Sequence, residues 1–139
     1  MSPKRIPAKP DRYKRGGIYI CNLPTQTVTE MTDGLLHHRD GIERHGPRPC
    51  VVISSDNFND TQARELIVVP TIGGNEARSA TYTEVPRTWV RVVVKGEIRY
   101  VLAEQVRCID HSRCKTQTGE LVECDLRMVE NKLKQLLFQ

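Results

Sequence analysis

Between Pro49 and Thr71 the chain reads PCVVISSDNFNDTQARELIVVPT. Two nearly continuous apolar runs, Pro49 to Ser55 and Glu65 to Thr71, flank a centre of Asp56-Asn57-Phe58-Asn59-Asp60. Both runs are rich in β-branched residues and too short for ordinary helices. Both are therefore expected to be strands buried on both faces. Asp and Asn side chains in the centre can hydrogen-bond their own backbone, which closes a turn and can start a short helical turn. Two buried strands this close together make the protein β-rich, and the rest of the chain has to supply what covers them.

Outward toward the N-terminus, Ile18-Tyr19-Ile20-Cys21 is another β-branched and aromatic run, ended by Asn22-Leu23-Pro24. From Thr25 to Pro47 the residues are mostly polar, and Gly34, Gly41 and Gly46 interrupt any period. This segment is expected to be a long loop, with at most a turn of helix between Met31 and Leu36. A loop of that length inside a domain is more often functional than idle. Outward toward the C-terminus, Gly73-Gly74-Asn75 is expected to be a loop and Thr81 to Val85 a strand stopped by Pro86. Val90 to Val94 and Ile98 to Val106 are two more strands, joined by the turn Lys95-Gly96-Glu97. The period then changes. Leu126, Val129, Leu133, Leu136 and Leu137 recur at three- and four-residue spacing, which marks an amphipathic helix over Cys124 to Phe138. Many short strands followed by one helix imply a mainly β fold, a small barrel or strongly twisted sheet capped by a C-terminal helix.

Length and composition bound the rest. A chain of 139 residues is expected to be one domain. Residues 1–14 carry Pro3, Pro7 and Pro10 among lysines and arginines, and they are expected to be a disordered basic arm ahead of a domain over 15–139. No apolar stretch approaches the length of a membrane span, and the first residues lack the apolar core of a signal peptide, so a cytoplasmic protein is expected. The five cysteines are odd in number and sparse, which argues for reduced thiols over a disulfide framework. Cys21 and Cys50 sit in apolar runs and read as small buried hydrophobes. The net charge of +4 suits a polyanionic partner, either nucleic acid or an acidic protein.

Four groups of residues could carry chemistry. Arg48 lies between Pro47 and Pro49 at the mouth of a buried strand. The fixed φ of the prolines stiffens the backbone there and can pre-organise a guanidinium for a phosphate. An ordinary surface arginine is the plainer reading. Thr71 ends the run Leu66-Ile67-Val68-Val69-Pro70, where its hydroxyl could donate to a phosphate oxygen or simply cap a strand. Cys108, His111 and Cys114, with Cys124 downstream, could form a zinc site, although the paired-ligand spacing of zinc modules is absent. Among the histidines, His45 lies near Arg48 and could take part in acid–base work.

Taken together, these pieces resemble the MazF/PemK/Kid family of bacterial toxins. Arg15-Gly16-Gly17-Ile18-Tyr19 is similar to the family's opening Arg-Gly-Asp-Ile/Val-Trp/Tyr, and Arg48-Pro49-Cys50-Val51-Val52-Ile53-Ser54 to its Arg-Pro-Val-Val-Val-Ile-Ser. Ile67 to Thr71 looks like the following strand, and Val101 to Asp110 like its Val-Leu-Leu-Asp/Glu-Gln-Ile-Arg-Thr-Ile-Asp. The resemblance implies an SH3-like small β-barrel of the CcdB/MazF type in a homodimer. It implies a growth-inhibiting endoribonuclease that cleaves single-stranded mRNA at specific sequences with no metal or other cofactor. In that reaction the RNA's own 2′-hydroxyl attacks, leaving a 2′,3′-cyclic phosphate and a 5′-hydroxyl. The implied catalytic pair is Arg48 and Thr71, and Arg44, His45 and Gln105 are implied RNA contacts. A cognate acidic antitoxin, with which the toxin binds DNA, is the implied protein partner. The alternatives on the same barrel are a non-catalytic, CcdB-like contact poison of DNA gyrase and a silent regulatory homologue. Three departures stand out: Gly17 where the family usually has Asp, Cys108 for Thr, and a first loop longer by roughly a dozen residues.

Overall fold

The structure, a computed structural model, describes residues 12–25, 27–40, 43–60, 64–79 and 85–139. The strands are β1 (Gly17–Leu23), β2 (Thr27–Thr32), β3 (Leu35–Asp40), β4 (Gly46–Val52), β5 (Glu65–Gly73), β6 (Trp89–Val94), β7 (Glu97–Leu102), β8 (Arg107–Asp110) and β9 (Cys114–Glu120). Short helices α1 (Asp56–Asn59) and α2 (Gly74–Ser79) follow β4 and β5, and α3 (Glu123–Phe138) closes the chain. Among the described residues the main sheet runs β6-β7-β5-β4-β1-β9, with β8 also on β5 and with β2 and β3 forming a separate pair. β6 and β9 end the path and are not hydrogen-bonded to each other, so the barrel is open along that seam.

β5 is the pivot. On one side it pairs with β4, Val51 opposite Val69. On the other its first half pairs with β8, Leu66 opposite Ile109, and its last residues with β7, Thr71 opposite Val101. Pro70 falls between the residues paired to β8 and those paired to β7, where a residue without a backbone N–H forfeits no ladder bond on that side. The turn between β4 and β5 is tied by Ser54 and Asn59. The Ser54 hydroxyl and the Asn59 carboxamide are hydrogen-bonded, Asn59 Nδ2 donates to Ser54 O at 3.0 Å, and Ile67 N donates to Ser54 Oγ at 3.2 Å.

The continuous apolar runs are buried on both faces, as expected. Ile18, Val51 and Val69 face one core with Val92, Val101 and, from α3, Leu126, Val129 and Leu133. Their neighbours Tyr19, Cys50, Val52 and Val68 face a second core with Tyr13, Cys21, Ile109 and Cys114. A third, smaller cluster of Ile72, Ala77, Trp89 and Leu102 seats α2. Two layers cover the central strands because β8, β9 and the first residues lie on one side and α3 on the other.

Several expectations need correction. The segment read as a long loop is a β-hairpin. Asp33 and Gly34 take φ of 54° and 76° in a two-residue turn between Thr32 and Leu35, the conformation a twist-matched Asp-Gly hairpin requires. Gly74 and Asn75 begin a helix and not a loop. β8 and β9 add strands beyond Val106 that were not expected, and β9 is built from the polar stretch Lys115-Thr116-Gln117-Thr118 because β1 offers it an edge. The first four residues of the strand expected at 81–85 lie outside the described residues, as does most of the basic arm, residues 1–11.

The fold also reaches back past the expected boundary at residue 15. Tyr13 is buried, its ring sits edge-on to Tyr19 at 5.3 Å, and its hydroxyl donates toward Cys114 O at 2.8 Å and His111 O at 3.0 Å. Gly17 belongs to this cluster. A Cβ there would lie 2.7 Å from Tyr19 Cε2 and 2.9 Å from Lys14 O, so a side chain at that position and this ring pair are mutually exclusive. Burial, then the neighbouring thiols, push the Tyr13 phenol up to about 12. The folded state therefore holds the neutral phenol more tightly than the unfolded chain does. Its stabilisation is full below about pH 10 and is lost as pH rises through the window from about 10 to about 12. Tyr13→Phe is expected to lose about 1 kcal/mol at neutral pH. It should also show a shallower loss of urea resistance than the wild type between about pH 10 and about pH 12. Equal alkaline slopes for the two proteins would refute the assignment.

Candidate active site

Arg48 lies in β4 opposite Cys21 of β1. With proline on either side its backbone is stiff, and its side chain is held at two points. Nε donates to His45 O at 3.3 Å, and Nη1 donates to Glu76 Oε1 at 3.2 Å. Glu76 stands on α2, and its Oε1 also lies 3.6 Å from Arg44 Nη1. One carboxylate thus bridges two guanidiniums. Such a carboxylate occupies a place where another anion, a phosphate oxygen for example, would meet the same two cations.

Arg44 leads on to the next group. Its backbone N–H donates to Gln105 Oε1 at 2.6 Å, and the same oxygen accepts from Arg107 Nη2 at 3.3 Å. Burial pulls the Arg107 pKa down, yet an arginine stays cationic at any ordinary pH. Arg44, Gln105 and Arg107 form one wall of a cavity of about 590 Å³, and Pro24, Trp89 and Glu104 line it further. The Trp89 indole N–H donates to Glu104 Oε1 at 2.9 Å, which orients both side chains. Glu43 Oε2, Arg44 Nε and Arg107 Nη1 are buried without a hydrogen-bond partner among the described residues. Buried polar atoms are normally satisfied, so three orphans beside one cavity concentrate unspent polarity there.

Thr71 is 1% exposed. Its hydroxyl donates to Pro49 O at 2.9 Å and accepts from Arg99 Nε at 3.1 Å. Arg99 is in β7, opposite Gly73 and diagonal to Thr71 across the ladder. A long side chain reaches a diagonal neighbour, and the Arg99 guanidinium passes over Gly73, 3.7 Å from where a Cβ there would stand.

The fold brings Arg44, Arg48 and Gln105 together through Glu76 and the Arg44 backbone. Thr71 lies on the adjacent strand, one residue out of step with Arg48, and its hydroxyl meets Pro49 O and Arg99 Nε and none of these three side chains. His45 contributes its carbonyl to Arg48, while its ring is exposed, with Nδ1 3.4 Å from Glu43 O. The possible zinc ligands are not assembled. Cys114 is buried, Cys108 and Cys124 are exposed, and Cys108 Sγ lies 3.5 Å from Glu65 Oε2. Among the described residues no group of three or more metal-binding side chains converges. Sequence reasoning missed Glu76, which lay just past the loop read at Gly73 to Asn75. It also missed Arg99, whose only local signal was a polar residue alternating with Ile98 and Tyr100 in a strand.

Fold and site define a small open-barrel protein with two arginines gathered on one carboxylate between β4 and α2. The family described as PemK-like, MazF-like toxin of type II toxin-antitoxin system matches residues 14–137, and the chain belongs to that family of endoribonuclease toxins. A relative, Endoribonuclease MazF of Staphylococcus epidermidis, is 27% identical over 121 residues, which is 86% of this chain and 87% of the relative. Among solved structures, MazF (Form-I) from Deinococcus radiodurans superposes with a TM-score of 0.64 at 22% identity, covering 92% of this chain and 98% of that one. MazE-MazF (Form-II) from the same organism superposes at 0.60 with 22% identity, covering 92% and 97% of the two chains. A mycobacterial endoribonuclease in complex with its cognate antitoxin also superposes at 0.60, at 16% identity, covering 91% and 94%. These similarities match the expected fold: mainly β, barrel-like and closed off by a C-terminal helix. No helix among the described residues is long and apolar enough to cross a membrane.

Proposed function

We propose that this protein cleaves single-stranded RNA at specific sequences without a metal, and that cleavage depends on Arg48 and Thr71. The observation that carries the reading is the Glu76 carboxylate shared by Arg48 and by Arg44, a residue that lines the cavity. A scissile phosphate that displaces this carboxylate meets two guanidiniums already aimed at one point. The 2′-oxygen attacks phosphorus and loses its proton, the P–O5′ bond breaks, and the departing 5′-oxygen takes up a proton. The products are a 2′,3′-cyclic phosphate and a 5′-hydroxyl. Negative charge builds on the non-bridging oxygens in between, and fixed cationic donors stabilise it without reorganising. Arg44, His45 and Gln105 are proposed to hold the flanking RNA, with Gln105 and Arg107 at the cavity wall beside Arg44.

Two partners belong to the same reading. The net charge of +4 and the arginine cluster suit an acidic antitoxin segment lying over the site. Val122, Met128, Leu136 and Leu137 are exposed and support a homodimer that would cover some of them. The test of the reading is a long single-stranded RNA incubated with purified protein in excess EDTA, with end-group mapping of the products. Discrete cuts bearing 5′-hydroxyl ends are expected. A folded protein that makes no cuts, or cuts only when magnesium is restored, overturns the reading.

A further inference from the structure

The Thr71 hydroxyl has one proton, and that proton is directed at Pro49 O, 2.9 Å away. The side chain is closed off from solvent. In this arrangement Thr71 has nothing left to donate to a phosphate. What it does offer is an acceptor, and Arg99 Nε takes it at 3.1 Å. A guanidinium held by its Nε edge keeps both Nη groups for a second acceptor. Beyond Thr71, Arg99 has no hydrogen-bond partner among the described residues. Arg48 is held in the same manner, with its Nε on the His45 carbonyl. Both arginines reach the same short stretch of chain: Arg99 lies beside Gly73 at the end of β5, and Arg48 reaches Glu76 on the helix that begins at Gly74.

We infer that Arg99 is a second guanidinium for the scissile phosphate and that Thr71 is its positioning residue, acting through Arg99 and not on the RNA directly. This rests on the ribonuclease reading above. The chemistry fits it: the two non-bridging oxygens gain charge together, and two forks anchored from behind can each take one. The relay Pro49 O, Thr71 Oγ1, Arg99 Nε lets a buried hydroxyl matter to catalysis without touching substrate.

The experiment is a double-mutant cycle on a single-site RNA oligonucleotide, paired with binding of the same oligonucleotide carrying a 2′-deoxy residue at the cut. Arg99→Ala is expected to lower kcat/KM by about 10²-fold. Thr71→Val should lose a comparable factor, and the double variant should lose no more than about threefold beyond the worse single variant, because the two act as one unit. Thr71→Ser, which keeps the hydroxyl, should regain most of what Thr71→Val loses. Arg99→Lys should recover little, since it cannot be held at Nε and present a fork together. Arg99→Ala should also weaken binding of the deoxy oligonucleotide and reduce the salt slope by about one. If Arg99→Ala cleaves within threefold of wild type while Thr71→Val does not, or if the losses multiply, Thr71 acts directly and the inference is overturned. A wild-type protein that cleaves nothing defeats the ribonuclease reading alone. In that case the change of salt slope still decides whether Arg99 meets a phosphate.

Discussion

Arg48→Ala is expected to lose about 10²–10³-fold in cleavage rate, equivalent to about 3–4 kcal/mol of transition-state stabilisation. It should do so without unfolding. The Arg48 side chain is 24% exposed and its partner Glu76 is 45% exposed. An ion pair that open contributes about 0–1 kcal/mol to folding after solvent screening. The prolines that shape the backbone on either side remain. Removing the side chain therefore subtracts a donor from the reaction and little from the fold. Arg48→Lys should fall nearly as far, because an ammonium cannot both hold the His45 carbonyl and present a planar fork. Rates on a defined RNA, urea midpoints and growth arrest on expression form the readout. The expected pattern is a lost rate, a retained midpoint and relieved growth arrest. A variant that still cleaves at the wild-type rate, or still arrests growth, removes Arg48 from the mechanism.

Tyr19→Ala is expected to be the most damaging single core substitution among those considered. Tyr19 is 1% exposed, its ring packs against Tyr13, and its hydroxyl accepts the Lys14 backbone N–H at 2.9 Å. Truncating a large buried aromatic costs about 3–5 kcal/mol, and here it also strands a backbone donor and removes the ring on which Tyr13 rests. Against a total stability of about 5–15 kcal/mol, that fraction is large. A fall in melting temperature of about 10–20 °C is expected, scaled to a chain of this size. Tyr19→Phe keeps the ring and should lose only about 1 kcal/mol. The comparison separates packing from the hydrogen bond, and an alanine variant that melts within a few degrees of wild type would show that the cluster collapses around the gap. The same cluster explains Gly17. Any side chain at that place would put a Cβ into this ring, so glycine accompanies the Tyr13–Tyr19 pair in this chain.

The two central strands and the last helix were legible from local pattern because their residues have no other means of leaving water. Cys50 to Ile53 and Leu66 to Val69 are apolar on every side, and only a strand covered on both faces accommodates that. The spacing of Leu126, Val129 and Leu133 puts one stripe on a helix, and that stripe packs on the first core. Arg48 stood out for the same kind of reason, a charge fixed between two prolines at the edge of a buried run.

What pattern could not reveal is whatever depends on a partner far along the chain. Among the described side chains of the β2–β3 hairpin, Met31, Leu35 and Leu36 are exposed and none is buried, so only Asp33-Gly34 marked its turn. β9 is a strand because β1 needed a neighbour on its free edge, and nothing in Lys115-Thr116-Gln117-Thr118 announces that. Glu76 and Arg99 are ordinary charged residues in sequence. They enter the site because α2 starts where β5 ends and because β7 sets Arg99 opposite a glycine. Burial of apolar runs is decided by the residues themselves. The direction in which the Arg48 and Arg99 guanidiniums point depends also on acceptors more than 25 residues away, Glu76 and Thr71, and only the folded chain brings them within 3.2 Å.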